Sequence, residues 1–506
     1  MKKYLLFLFL SIFSITLSAQ NKELTKADNY YNQYNYNKAL KAYQKLANDG
    51  ISLFYTTNKI AECYSSMGDA QNAVIWYKKA VQFPDVDYKI YYHLALELKK
   101  LEQYDQAQMY MNKYYTLSGH TFPFGSNDYN KYVQLLSMDS SRFEIYPLKI
   151  NSPASEFGPA IYANKLIFSS NRPKKGLVKR GDVRTNKPFF SLYESTRVTL
   201  TELNNPSIFA HQLNSDLNNG PICFNQNDRL MFITQNTEKS GSGKVRLTIV
   251  LSKKEKGKWQ KETEEIPLTN LDYSIAHPSM TLDGKRFFFT SDMPGGQGGM
   301  DLYVSEIKNG VMSPPRNLGA QINTAGNELF PFLDRENKLY FTSDGHPGLG
   351  GYDIFIAIPL DAGYSPAFNM GYPLNTSADD FSLVIMDNQR TGYLASNRPG
   401  GKGEDDIYAF RIIDPLNYCQ VKGTITNEVT RQPLAQVTVT IKNDTGIVVD
   451  QIQSNSDGFF HSFLKSDGQY QFEFRKRYYY PVTGQVKQED LYNKEFIELD
   501  IGLQEK

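Results

Sequence analysis

The chain is poor in cysteine, histidine and unbalanced charge. Its three cysteines, Cys63, Cys223 and Cys419, are odd in number, far apart and in no metal-ligand spacing. Nothing selects a disulfide pair or a zinc site, and small buried hydrophobes are the reading they fit. The six histidines (93, 120, 211, 277, 346, 461) are scattered. Neither a Gly-x-Ser-x-Gly elbow nor a His-Glu-x-x-His helix occurs, which removes the sequence grounds for a serine hydrolase or zinc peptidase. Lys+Arg (55) and Asp+Glu (54) leave a formal charge of +1, so no electrostatic argument favours a nucleic-acid partner. Past the N-terminal run, no segment approaches the roughly 20 apolar residues of a spanning helix.

At 506 residues, with 41% hydrophobic and 22% charged positions, the composition is that of several folded domains rather than disorder. Tyrosine (35) and phenylalanine (31) are abundant against 2 tryptophans, which favours β-rich structure and aromatic-packed helical repeats. Lys2 and Lys3, the apolar run Leu5 to Leu17, and Ser18-Ala19-Gln20 form a signal-peptide pattern over residues 1–20, with no following cysteine for a lipid. Export is therefore expected.

Residues 21–140 carry a period of 34. Ala39, Ala73 and Ala107 are 34 apart, as are Ala27, Ala61 and Ala95, and Tyr43, Tyr77 and Met111. Small residues at fixed places let paired helices approach, and large ones fill the gaps between hairpins. Gly68 falls at an inter-helix turn and Pro84 just past a helix end. One further step reaches Tyr129 and Tyr132, so a capping helix is expected over 126–138.

Residues 143–413 repeat a longer unit: strand, turn, strand ending in Ser-Asp or Ser-Asn, Gly/Pro loop, then Asp opening an apolar strand. Three clear copies place Asp301, Asp353 and Asp406 at that opening, after Pro294-Gly295-Gly296, Pro347-Gly348 and Pro399-Gly400-Gly401. Earlier copies begin at Phe157-Gly158-Pro159 and, in degenerate form, at Gly220-Pro221. Such spacing predicts a β-propeller of five blades, six if one hides between 174 and 215. The strand that should follow the fifth copy is missing, and its counterpart, Phe143 to Ile150, precedes the first. The N-terminal strand is expected to complete the last blade and remove an open edge. The recurring aspartates read as turn-forming rather than metal-binding. Gly241-Ser242-Gly243-Lys244 lacks the Ser/Thr and upstream glycine of a phosphate loop.

Residues 418–506 change character. Val437, Val439 and Ile441 alternate with threonines, Asp457-Gly458 marks a turn, and Tyr470, Phe472 and Phe474 alternate with polar residues. A small β-sandwich follows.

These segments resemble known families. Phe168-Ser169-Ser170-Asn171-Arg172-Pro173 and Gly350-Gly351-Tyr352-Asp353-Ile354-Phe355 resemble PD40 (WD40-like, TolB-type) propeller repeats. Val421-x-Gly423, Ser456-Asp457-Gly458-Phe459 and Gly468-x-Tyr470 resemble the carboxypeptidase regulatory-like domain. Signal peptide, tetratricopeptide array, PD40 propeller and sandwich, in that order, are similar to OmpA-family envelope proteins of the Bacteroidota, of the PorE type. That resemblance implies a non-enzymatic periplasmic scaffold, associated with the outer membrane and with type IX secretion or gliding machinery, whose partners are envelope or secretion-system proteins. It implies no cofactor. Relatives continue into a peptidoglycan-binding OmpA-like domain, so peptidoglycan is implied only if such a domain follows Lys506. A ligand- or glycan-binding propeller is the competing reading, and a hydrolase stands behind it.

Overall fold

In a computed structural model the described residues are 21–506 without 85, 120–128, 174–180, 183–186, 214–216, 226, 238–244, 261–262 and 270–271. The expected signal peptide, His120 and the Gly241–Lys244 loop lie outside them. The chain divides into two compact units, Met1–Ser118 with Ile145–Arg411, and Gly119–Glu144 with Ile412–Lys506.

The first unit opens with three helical hairpins: α1 (21–32) with α2 (Tyr36–Asn48), α3 (Leu53–Ser66) with α4 (Ala70–Ala80), and α5 (Lys89–Lys100) with α6 (Tyr104–Ser118). The periodic alanines sit where the helices meet: Ala27, Ala39, Ala61, Ala73 and Ala95 are fully buried and Ala107 nearly so. The Asn35 and Asp69 side chains accept from the amides of Lys38 and Asn72, capping α2 and α4. Gly68 turns the chain between α3 and α4 at φ +76°, where a side chain would be strained.

A large all-β region follows. Its principal sheets are antiparallel and mostly four-stranded. Sheet I holds Glu156–Tyr162, Lys165–Ser170, Ser191–Thr196 and Ser207–Ile208. Sheet II is built on Asn219–Phe224, Leu230–Asn236 and Leu247–Glu255, sheet III on Ile275–Met280, Arg286–Ser291 and Asp301–Lys308. Sheet IV holds Glu328–Leu333, Leu339–Ser343, Asp353–Ala357 and Phe368–Asn369. Sheet V runs Asp380–Ile385, Thr391–Ser396, Asp406–Ile412 and finally Phe143–Pro147, the strand that precedes sheet I in sequence. The described part of 174–215 thus supplies the outer strands of sheet I. Each sheet's first strand neighbours the next in the order I to V, and that of V neighbours that of I.

All five first strands break register at the same place, with positive φ at Gly158, Gly220, His277, Phe330 and Ser382. Proline follows four of these residues; it has no N–H to leave unpaired at a bulge. This explains the Gly-Pro, His-Pro and Phe-Pro pairs that begin the sequence copies.

The second unit is a sandwich. One sheet runs Phe459–Lys465, Tyr418–Asn427, Phe496–Glu498, with Ile501–Leu503 also on Tyr418–Asn427; the other runs Val448–Gln453, Thr438–Asn443, Tyr470–Arg475, Val482–Val486. Val421, Ile425, Val437, Val439, Ile441, Phe460, Phe472 and Phe474 share one core. Helix α7 (Tyr129–Ser137), expected as the cap of the array, groups with this unit instead. Just beyond it, Arg142 pairs with Asp139, Asp414 and Asp467, and Asp139 with Lys465. That charge network ties residues 139–142 to the sandwich.

Candidate functional site

Asp301, Asp353 and Asp406 are buried at the start of each third strand, and their carboxylates turn back onto the preceding loop. Asp353 accepts from the amides of Leu349 (2.9 Å) and Gly350 (3.0 Å). Asp301 takes the amides of Gln297 and Gly298, and Asp406 those of Lys402 and Gly403. A carboxylate holding two amides fixes the glycine loop that precedes its strand.

A second set of acids opens the first strands. Glu156 accepts from Ser152 and Ser170, Glu328 from Thr324 and Ser343, Asp380 from Thr376 and Ser396. Sheets I and V neutralise theirs, Arg172 standing 3.0 Å from Glu156 and Arg398 2.6 Å from Asp380. Sheet IV has His346 at the matching place, and its Nε2 goes to the Ile322 carbonyl at 2.8 Å. Burial pushes the Glu328 carboxyl up to about 8, against the pull of its hydroxyl and amide donors. The folded state then keeps a proton that the unfolded chain releases near pH 4.3. Stability from this group is full below that value and is lost as pH rises through about 8. The melting temperature is expected to fall between about pH 4.3 and 8 and to level off above, and Glu328→Gln to flatten the fall. A variant profile parallel to the wild type would contradict this.

A third element is an asparagine clamp. Asn323 brackets Leu302, accepting from its amide (2.8 Å) and donating to its carbonyl (3.0 Å). Asn375 brackets Ile354 likewise at 2.7 and 2.8 Å, and Asn151 brackets Ile407 at 3.1 and 2.9 Å. The sequence signal was Asn-Ser/Thr with an acid five residues after the asparagine, at 151, 323 and 375.

On the same side as these loops, the array meets the sheets. Tyr92 of α5 donates to the Asp344 carbonyl at 3.0 Å, and Tyr104 of α6 to that of Leu349 at 3.1 Å. Ser377 donates to Glu102 at 2.9 Å, and Lys100 lies 3.9 Å from Asp379. Gly351 lets the lysine pass, since a Cβ there would stand 2.4 Å from Lys100 Cε.

Between the first strands lies a cavity of about 400 Å³ with lining from all five. His277 stacks on Phe330 with centroids 3.9 Å apart, and Phe157, Phe330 and Phe381 converge with centroids 5.3 to 6.5 Å apart. Of the lining acids, Asp334 is spent on the amides of Glu336 and Lys338, both at 2.9 Å, and Asp387 pairs with Arg335 at 2.9 Å. The three cysteines are free. Burial raises the Cys63 and Cys419 thiols, which keeps them poor nucleophiles. Among the described residues no His/Cys/Asp/Glu group is placed to hold a metal, and no helix is long and apolar enough to cross a membrane.

Two family models match parts of the chain. Residues 58–84 and 88–121 match the tetratricopeptide repeat, and 420–496 the carboxypeptidase regulatory-like domain. No curated protein sequence matches the chain. Among solved structures, the β-xylosidase RS223 is 12% identical, covering 53% of this chain and 94% of that one at a TM-score of 0.34. An endo-arabinase from Bacteroides thetaiotaomicron gives 12%, 53%, 97% and 0.34, and a Bombyx mori GH32 β-fructofuranosidase 10%, 74%, 93% and 0.35. Similarity this slight carries no argument about activity here.

Proposed function

We propose that the chain is an exported, non-enzymatic scaffold of the cell envelope. In this reading a tetratricopeptide array, a closed five-bladed propeller and a regulatory-like sandwich present fixed surfaces to envelope or secretion-system proteins, in association with type IX secretion or gliding machinery. The observation that carries it is the commitment of the recurring acids: Asp301, Asp353, Asp406, Glu156, Glu328 and Asp380 all hold loop amides or hydroxyls, a use that builds rigid rims. Closure is supported by strand Phe143–Pro147 in sheet V and by Asn151. The matched repeats, a module that generally mediates protein contacts, support the interaction role.

A second reading is a ligand- or glycan-binding ring, favoured by the cavity and its stacked His277–Phe330 pair. Cross-linked pull-down with the mature chain from envelope extracts is expected to return the same partner proteins in independent preparations. No reproducible partner, together with glycan-array binding that Phe330→Ala abolishes, would replace the scaffold by the ligand reading.

A further inference from the structure

Strand Tyr418–Asn427 sets the length of the sandwich. It starts beside Lys465 and the Asp139–Arg142 charge network and runs about 30 Å to Asn427. Three segments meet at the Asn427 end. The loop 428–432 turns on Asn427, whose Oδ1 accepts from the amides of Val429 and Thr430, both at 2.9 Å. The Glu428 amide donates to the Leu503 carbonyl at 2.9 Å. The connection 476–481 pairs with 504–506: Tyr480 N–H donates to the Gln504 carbonyl and Lys506 N–H to that of Tyr478, each at 2.9 Å.

This end shows water an apolar tip ringed by cations. Val429 is 82% exposed, Tyr478 63% and Tyr480 53%. The Arg431, Arg477 and Lys506 side chains are exposed, with no ion pair among the described residues. Arg477 stands 4.8 Å over the Tyr478 ring and Lys506 5.9 Å over that of Tyr480. The acids here are Glu428 and Glu505, against those three cations and Lys476, which donates to the Ala435 carbonyl at 2.6 Å. Tyr478 sits at φ +69°, a conformation glycine adopts freely and a bulky residue resists. The turn itself calls for glycine, so the ring is held outward at a cost in backbone strain.

The exposed side chains stand on loop tips rather than around a groove, a shape that suits a broad, yielding surface. Tyrosine, apolar in body and polar at its tip, suits the boundary between lipid headgroups and acyl chains, and unpaired cations beside it suit lipid phosphates. We propose that this end of the sandwich is a peripheral membrane contact. Val429, Tyr478 and Tyr480 enter the headgroup region of an anionic bilayer, and Arg431, Arg477 and Lys506 take its phosphates. The contact is separate from the protein-binding surfaces of the scaffold reading, and draws from it only the presence of a membrane in the same compartment.

The test is co-sedimentation of the chain from residue 21 with vesicles of phosphatidylcholine, alone and with about 30% phosphatidylglycerol. The anionic vesicles bind the chain, the neutral ones at least about tenfold more weakly, and added salt weakens binding. Arg477→Gln weakens it about fivefold, the share of one cation at the surface. Tyr478→Gly weakens it about tenfold, yet melts no lower than the wild type because glycine relieves the left-handed strain. No binding to anionic vesicles, equal binding to both kinds, or binding indifferent to either variant would overturn the assignment. So would a melting temperature well below the wild type for Tyr478→Gly, which would make the ring a packing residue. Dextran sulfate bound as tightly as the vesicles, with no loss in Tyr478→Gly, would replace the bilayer by a soluble polyanion. Vesicle binding without recoverable protein partners sinks only the scaffold; protein partners retained without vesicle binding sink only this surface.

Discussion

Replacing Asn151 by leucine is expected to cost about 1–3 kcal/mol of stability, a large effect for a residue just outside a strand. Asn151 is 6% exposed and satisfies both the amide and the carbonyl of Ile407, at 3.1 and 2.9 Å. Leucine fills the space but pairs with neither, so the Ile407 amide loses its partner, while the carbonyl keeps only the Leu148 amide at 3.2 Å. Each such group costs roughly 1–3 kcal/mol. The same substitution at Asn323 or Asn375 strips Leu302 or Ile354 of equivalent bonds, so the three variants should lose similar amounts in urea unfolding. The comparison carries the information. Asn323 and Asn375 lie downstream of the strand they hold, whereas Asn151 lies 256 residues before its own. A loss at 151 much smaller than at 323 and 375 would mean that the N-terminal strand is not an integral part of the fifth sheet.

The second large effect is expected at Gly403. A Cβ built there would stand 1.7 Å from the carbonyl oxygen of Ala154 and 2.9 Å from its carbon. Both are main chain, so no side chain can swing away. Gly350 faces the backbone of 376–378 in the same way, with Ala378 O at 2.1 Å, and Gly298 that of 324–326, with Thr324 O at 2.3 Å. The three glycines are thus the places where the loop of one sheet rests on the segment entering the next: III on IV, IV on V, and V on I. Gly403→Ala should destabilise by about 3 kcal/mol or more, as forced overpacking does. Gly257→Ala is the control. It lies in open space at φ +79° and should cost only the roughly 1 kcal/mol of a left-handed turn. Equal losses at the two sites in denaturant melts would remove the steric account.

Much of this architecture was legible because burial leaves periodic traces. Alanines 34 apart survive where helices touch, and Ser-Asn, Gly-Gly and Asp recur where loops must fold onto strands. The displaced strand Phe143–Pro147 was legible as the missing member of the fifth copy. Other features left weaker traces. The clamps at 151, 323 and 375 were visible as repeated letters, but hydrogen-bond roles do not follow from periodicity. Helix α7 shows the amphipathic spacing a cap would show, and such spacing says that a face is covered, not by what. Lys99 left no trace either: a lysine in the last turn of a helix normally reaches water and favours the helix dipole, yet it is buried here. Sheet II lacks the Ser-Asx pair, the Pro-Gly loop and the aspartate that opens the third strand in sheets III to V, which is why its copy looked degenerate.

Site-resolved amide exchange tests the central claim most directly. If sheet V is completed by the strand that precedes sheet I, the amides of Leu148 and Ile407, bonded to Ile407 O and Asn151 Oδ1, exchange as slowly as those of Leu302 and Ile354. Rapid exchange at Leu148 and Ile407, with Leu302 and Ile354 still protected, would show five sheets in a row rather than in a ring.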